Sequence, residues 1–200
     1  MNVFCLLWVP LVYFFWRSLP ETDTSGGVWA FILGSITAVI NFFIDPLFDP
    51  GGFAFSRWLS GFILVAIPAL LPFLVYFLMI VLGLVKDNFN FAGFSLPWLI
   101  PGAIFKALNW ISLSDPIPLV LIPILWTAIA LGLPFFISFL DPSRKAISIF
   151  SVFGGLIVPL AATSSYWAFY SQKAVLGGFF LALVLIPMLL SIIFKFSFAE

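Results

Sequence analysis

Histidine is absent from the 200-residue sequence, and cysteine occurs once, at Cys5. Without histidine the chain cannot build a His-containing zinc site, ligate haem through an imidazole or hold a Ser-His-Asp or Cys-His catalytic group. A lone cysteine forms neither an internal disulfide nor a cysteine-ligated iron–sulfur site. A Gly-rich phosphate loop ending in Gly-Lys is also missing. These absences exclude many hydrolase, redox and nucleotide-binding classes, and we expect no cofactor and no metal.

Charge is scarce as well. Asp, Glu, Lys and Arg make up 8% of the chain, whereas soluble domains carry about 25%. Hydrophobic residues make up 64%, and the mean hydropathy is +1.24. Eight basic and eight acidic residues cancel, so we expect no nucleic-acid partner. The composition is typical of an integral, multi-pass membrane protein whose partners are membrane lipids and either other membrane subunits or further copies of itself.

Long apolar runs predict the fold class. A transmembrane helix needs about 20 predominantly apolar residues. By this criterion the chain is an all-α, polytopic helical membrane bundle, a single integral membrane domain over residues 1–200. Six spans are predicted, near residues 1–16, 28–44, 58–85, 117–140, 146–170 and 174–194.

The remaining apolar segment, residues 91–113, contains residues that interrupt an apolar helix: Pro97, Pro101, Lys106 and Asn109. Broken backbone at membrane depth must be buried against protein. We therefore predict a re-entrant or interfacial segment here, with Trp98 at the interface. The alternative is a seventh span. With six spans the basic residues divide four against four, whereas with seven they divide five against three and place the N-terminus outside.

Small residues at regular spacing mark a helix-packing face in the second span. Ala30, Gly34 and Ala38 are four residues apart and so lie on one side of a helix. Small side chains let two helix backbones approach closely, which is a usual basis of helix association in lipid. This face is the predicted helix-packing seam.

Asn41, Asp45 and Asp49 form the candidate polar site, again with four-residue spacing. Paired carboxylates could hold Mg²⁺ against a lipid diphosphate, or take up a proton or Na⁺. The spacing resembles the aspartate-rich motif of intramembrane prenyltransferases over these nine residues, without the second aspartate cluster of that family. Each aspartate also precedes a proline, and Asp followed by Pro is typical of a helix start. We favour this capping interpretation.

Other polar residues are candidates for lipid contacts. Lys106, Arg144 and Lys145 could bind a headgroup phosphate or another anion, although a simpler role is to anchor helix ends at the interface. Another polar run consists of Thr163, Ser164 and Ser165, which follow Pro159. Their hydroxyls could satisfy carbonyls that the proline leaves without a donor, or they could line a polar cavity.

Three functional hypotheses follow. The first, which the small-residue seam and the scarcity of embedded charge favour, is a non-enzymatic protein that serves as an integral subunit of a membrane complex or as a small-solute permease. The second is an enzyme acting on lipid or isoprenoid substrates through Asp45 and Asp49. The third is a lipid-binding scaffold.

Overall fold

The computed structural model describes residue 6 and residues 8–17, 26–44, 54–83, 91–108, 117–137 and 145–197. In these ranges the regular structure is helical, without strands, as predicted. The α-helices are α1 (Trp8–Arg17), α2 (Gly27–Ile44), α3 (Ala54–Gly61), α4 (Ile67–Val81), α5 (Phe91–Leu108), α6 (Ile117–Ile137), α7 (Lys145–Tyr170) and α8 (Ala174–Ser197). A π-helical segment, Phe62–Ala66, joins α3 to α4.

Three helices of the described ranges are long and apolar enough to cross a membrane: Arg57–Met79, Ser151–Tyr170 and Ala174–Ile193. Shorter apolar stretches occupy Gly27–Phe43, Gly93–Phe105 and Val120–Leu133. Large apolar side chains also cover the outside of the bundle, including Val28 and Trp29 of α2 and Phe153 of α7. An apolar exterior of this extent is typical of a protein surrounded by lipid.

Helices α2 and α5 are parallel neighbours. Gly34 of α2 contacts the backbone of Trp98 in α5. Two turns further along both helices, the rings of Phe42 and Phe105 are 5.8 Å apart between centroids. Because both contacts advance in the same sense along the two helices, α2 and α5 run in the same direction.

Helices α1 and α6 are parallel as well. The indole Nε1 of Trp8 donates a hydrogen bond of 2.7 Å to Oγ1 of Thr127. One turn further along each helix, Val12 and Leu131 belong to the same buried cluster. This places α1 against the middle of α6.

We treat α3, the π-helical segment and α4 as one continuous helical rod, and each other helix as a rod of its own. Consecutive rods along the chain then run in alternating directions. Tyr76 of α4 contacts Phe94 of α5, at 6.0 Å between ring centroids, so α4 finishes where α5 begins. We call the end of the bundle at which α1 finishes and α2 begins the Arg17 end. The opposite end, at which α7 turns into α8, is the Lys173 end. The α1–α2 pair, the α4–α5 pair and the α7–α8 pair are all antiparallel.

Helices α5 and α6 form the centre of the bundle. From Leu121 to Leu133, nearly every residue of α6 is buried. Helix α6 is surrounded by α4, α5, α7, α8 and the π-helical segment. Helix α5 is in turn covered by α1, α2 and α4. A helix that is apolar on all sides is stable only when every side is covered, which explains the central position of α6.

The prediction that residues 91–113 are interrupted is wrong for residues 91–108. They form one continuous helix, α5, with Pro97 and Pro101 inside it. Trp98, predicted at the interface, is only 4% exposed. Proline is tolerated in such a helix because the neighbouring helices exclude water and supply alternative partners for the freed backbone groups. Asn109 lies outside the described residues.

The predicted span at residues 58–85 also differs in detail. The rod begins earlier, at Ala54, and its irregularity lies at the π-helical segment Phe62–Ala66, before Pro68. The N–H of Ile67 donates to the carbonyl of Phe62, five residues earlier. Proline has no N–H, so Pro68 cannot donate to the carbonyl of Leu64 four residues earlier. The widened turns accommodate this missing bond.

The α7–α8 connection is a tight turn at the Lys173 end. The N–H of Lys173 donates to the carbonyl of Ala168 at 2.8 Å, and the N–H of Gln172 donates to that of Phe169 at 3.0 Å. This is the Schellman pattern, which normally places glycine in the left-handed position. Here Gln172 occupies that position with φ = 58°. A side chain at this φ is strained.

Replacing Gln172 with glycine is therefore expected to raise the free energy of unfolding by about 0.5–1 kcal/mol, because glycine adopts this backbone conformation without the strain of a Cβ. The change is measurable as a higher melting temperature of the purified protein in detergent. Gln172→Ala serves as the control, since alanine keeps the Cβ and should bring no gain. Equal stabilisation by both variants would contradict this explanation.

Candidate functional site

The candidate polar site is described only in part. Asn41 lies in the last turn of α2 and is partly buried. Asp45 and Asp49 lie outside the described residues. Among the described residues, no group of three His, Cys, Asp or Glu is placed to hold a metal ion.

Of the three predicted headgroup contacts, the structure describes only the backbones of Lys106 and Lys145. Lys106 belongs to the last turn of α5 and Lys145 is the first residue of α7. Their side chains, and the whole of Arg144, are outside the described residues. The structure therefore places only the backbones of these two lysines, in the last turn of the described α5 and at the first described residue of α7.

The helix-packing seam lies between α2 and α5. Ala30, Gly34 and Ala38 are all buried, whereas Ile36 and Ile40 of the same helix are exposed. An added Cβ at Gly34 would meet the carbonyl oxygen of Trp98, and it would lie 2.8 Å from the carbonyl carbon of that residue. Only a glycine allows this distance between the two backbones.

Buried hydrogen bonds join helices that are distant in sequence. The hydroxyl of Thr127 accepts from Nε1 of Trp8 at 2.7 Å and donates to the carbonyl of Pro123 at 2.9 Å. Next to it, Nε1 of Trp126 donates to the carbonyl of Leu64 at 3.3 Å. Pro68, four residues after Leu64, has no N–H to donate to that carbonyl, so the indole takes the place of the usual i+4 donor.

The hydroxyls of Thr163, Ser164 and Ser165 in α7 likewise form hydrogen bonds within the bundle. Oγ1 of Thr163 donates to the carbonyl of Pro159, and Oγ of Ser165 donates to the carbonyl of Gly177 in α8 at 3.0 Å. Oγ of Ser164 accepts from Nε1 of Trp58 in α3 at 3.2 Å. None of these bonds goes to the carbonyl that Pro159 leaves without a donor. The Ser165 bond joins α7 to α8, and the Ser164 bond joins α7 to α3.

A cavity of about 460 Å³ lies between α1, α2 and α5, near the Arg17 end. Among the described residues its lining is almost wholly apolar and includes Val9, Pro10, Tyr13, Trp16, Gly27, Val28, Phe31, Pro97 and Ile100. We call it the α1–α2–α5 groove. Its chemistry suits a hydrophobic molecule, and it does not suit a polar solute or a metal ion.

Two buried indole donors have no acceptor among the described residues: Nε1 of Trp16 and Nε1 of Trp167. Trp167 lies at the Lys173 end, where Nζ of Lys173 is 5.1 Å from the centroid of its ring. Trp16 forms part of the groove wall. Buried donors normally find an acceptor, but Nε1 of Trp16 is fully buried, so a molecule in the groove would not reach it.

Reasoning from the sequence alone did not single out Trp126, Thr127 or the groove. The available signal for Trp126 was an indole in the middle of an apolar run, away from the helix ends that tryptophan usually prefers. Such a residue needs a buried acceptor. No sequence pattern predicts the groove, because its walls come from three helices that are separate in the sequence.

Comparisons with protein-family models, with curated proteins and with solved structures found no match. What the protein does must therefore be inferred from its own helix faces, buried hydrogen bonds and groove.

Proposed function

We propose that this protein is a non-enzymatic integral membrane subunit that associates sideways with a second copy of itself through α8. The observation that carries the proposal is a row of small residues on α8: Ala174, Gly178 and Ala182. All three are exposed, and an added Cβ at Gly178 would have nothing within 4 Å. Next to the row, Val175 is 91% exposed and Phe179 is also exposed. This face is accessible to another helix.

The row on α8 repeats the pattern of the α2 seam. Both consist of Ala, Gly and Ala at four-residue spacing. On α2 the pattern is buried, and Gly34 contacts the backbone of α5. On α8 the same pattern has no covering helix among the described residues. Because small residues promote helix contacts in lipid, the α8 row is suited to a contact between two molecules.

The engagement of buried polar groups supports a structural role over catalysis or the passage of polar solutes. The hydroxyls of Thr127, Thr163 and Ser165 all donate to backbone carbonyls within the bundle. The Thr127 and Thr163 bonds lie within their own helices, and the Ser165 bond joins α7 to α8. Hydroxyls that already donate to buried carbonyls are less available to a solute. The permease hypothesis and the enzyme hypothesis have no comparable support from the described residues.

We also propose seven membrane crossings. The support is that α5 is buried in the bundle, parallel to α2, and that consecutive rods alternate in direction. The 18 residues of α5 give a length of about 27 Å, close to the hydrocarbon thickness of about 30 Å. With seven crossings, five basic residues lie towards the Arg17 end and three towards the Lys173 end. The positive-inside rule then places the Arg17 end in the cytoplasm.

The test of self-association is the variant Gly178→Leu. A leucine in the middle of the α8 row should hold the two helix backbones apart and reduce the dimer fraction about tenfold or more. The measurement is disulfide cross-linking in native membranes, with Ala182→Cys as the reporter in a Cys5→Ser background. The matched control is Gly155→Leu on α7, where an added Cβ also meets nothing within 4 Å.

Self-association is supported if Gly178→Leu abolishes the dimeric product and Gly155→Leu leaves it unchanged. If the reporter gives no dimer in the otherwise unchanged protein, self-association through α8 is wrong. A cross-link to a different protein that Gly178→Leu abolishes would replace the second copy with another membrane subunit.

A further inference from the structure

We draw no further inference here: the strongest candidate, the apolar groove between α1, α2 and α5, carries no proposal because nothing among the described residues shows what covers or fills it.

Discussion

Replacing Trp126 with alanine is expected to lower the free energy of unfolding by about 3–5 kcal/mol, the usual cost of truncating a large buried aromatic side chain. Trp126 is 2% exposed and lies in the main buried cluster, where it packs against Gly102 of α5. Its indole joins α6 to the π-helical segment by donating to the carbonyl of Leu64 at 3.3 Å. Truncation removes these contacts and the hydrogen bond together.

The hydrogen bond can be separated from the packing with Trp126→Phe. Phenylalanine keeps an aromatic ring but has no N–H, so the buried carbonyl of Leu64 loses its donor. An unsatisfied buried polar group costs about 1–3 kcal/mol. In a Pro68→Ala background the new N–H of residue 68 can serve that carbonyl, since it is four residues further along.

A double-mutant cycle with Trp126→Phe and Pro68→Ala measures this coupling. Reversible unfolding in mixed detergent micelles, followed by far-ultraviolet circular dichroism, gives the free energies of all four proteins. We expect Trp126→Phe to cost less in the Pro68→Ala background, by an interaction energy of about 0.5–3 kcal/mol. The same cost in both backgrounds would mean that the Trp126 bond does not compensate for Pro68.

Replacing Gly34 with alanine is expected to lower the free energy of unfolding by about 1–3 kcal/mol, the usual cost of overpacking. The added methyl group would meet backbone atoms of Trp98, which cannot rotate away as a side chain can. Helix α2 would have to move away from α5 along the whole seam. This cost opposes the gain of about 1 kcal/mol that alanine normally brings over glycine inside a helix.

Gly178→Ala is the matched control for Gly34→Ala. The two glycines are the central residues of the same Ala-Gly-Ala spacing, but an added Cβ at Gly178 meets nothing within 4 Å. In the monomeric protein in detergent we expect Gly178→Ala to leave the melting temperature unchanged or to raise it. Destabilisation by both variants alike would show that the helix interior, and not the contact with α5, is responsible.

Much of the helical architecture could be predicted from local pattern. Apolar runs near residues 28–44, 146–170 and 174–194 predict helices, and α2, α7 and α8 occupy nearly the same residues. A helix of this composition is recognisable from its own sequence, because in lipid the backbone must satisfy its hydrogen bonds within the segment. The same argument predicts the absence of strands in the described ranges.

The candidate sites could be predicted less well. The sequence shows that Ala30, Gly34 and Ala38 share a face, but the same spacing on α8 is exposed. The covering helix belongs to a distant segment, so spacing alone cannot distinguish the two faces. Proline misled the prediction at α5, because the local rule that Pro97 breaks a helix is overridden when neighbouring helices exclude water.

By itself, the sequence determined a histidine-free, helical chain with about a third of the charge usual in soluble domains and with small residues at helical spacing. Only the tertiary structure decided which faces are covered and where Trp126 finds its acceptor. The structure also decided that Val9, Phe31 and Pro97 enclose one groove. The physical reason is the range of the interactions. Composition and helical periodicity act within one segment, whereas close packing and buried hydrogen bonds depend on residues that the fold brings together from distant parts of the chain.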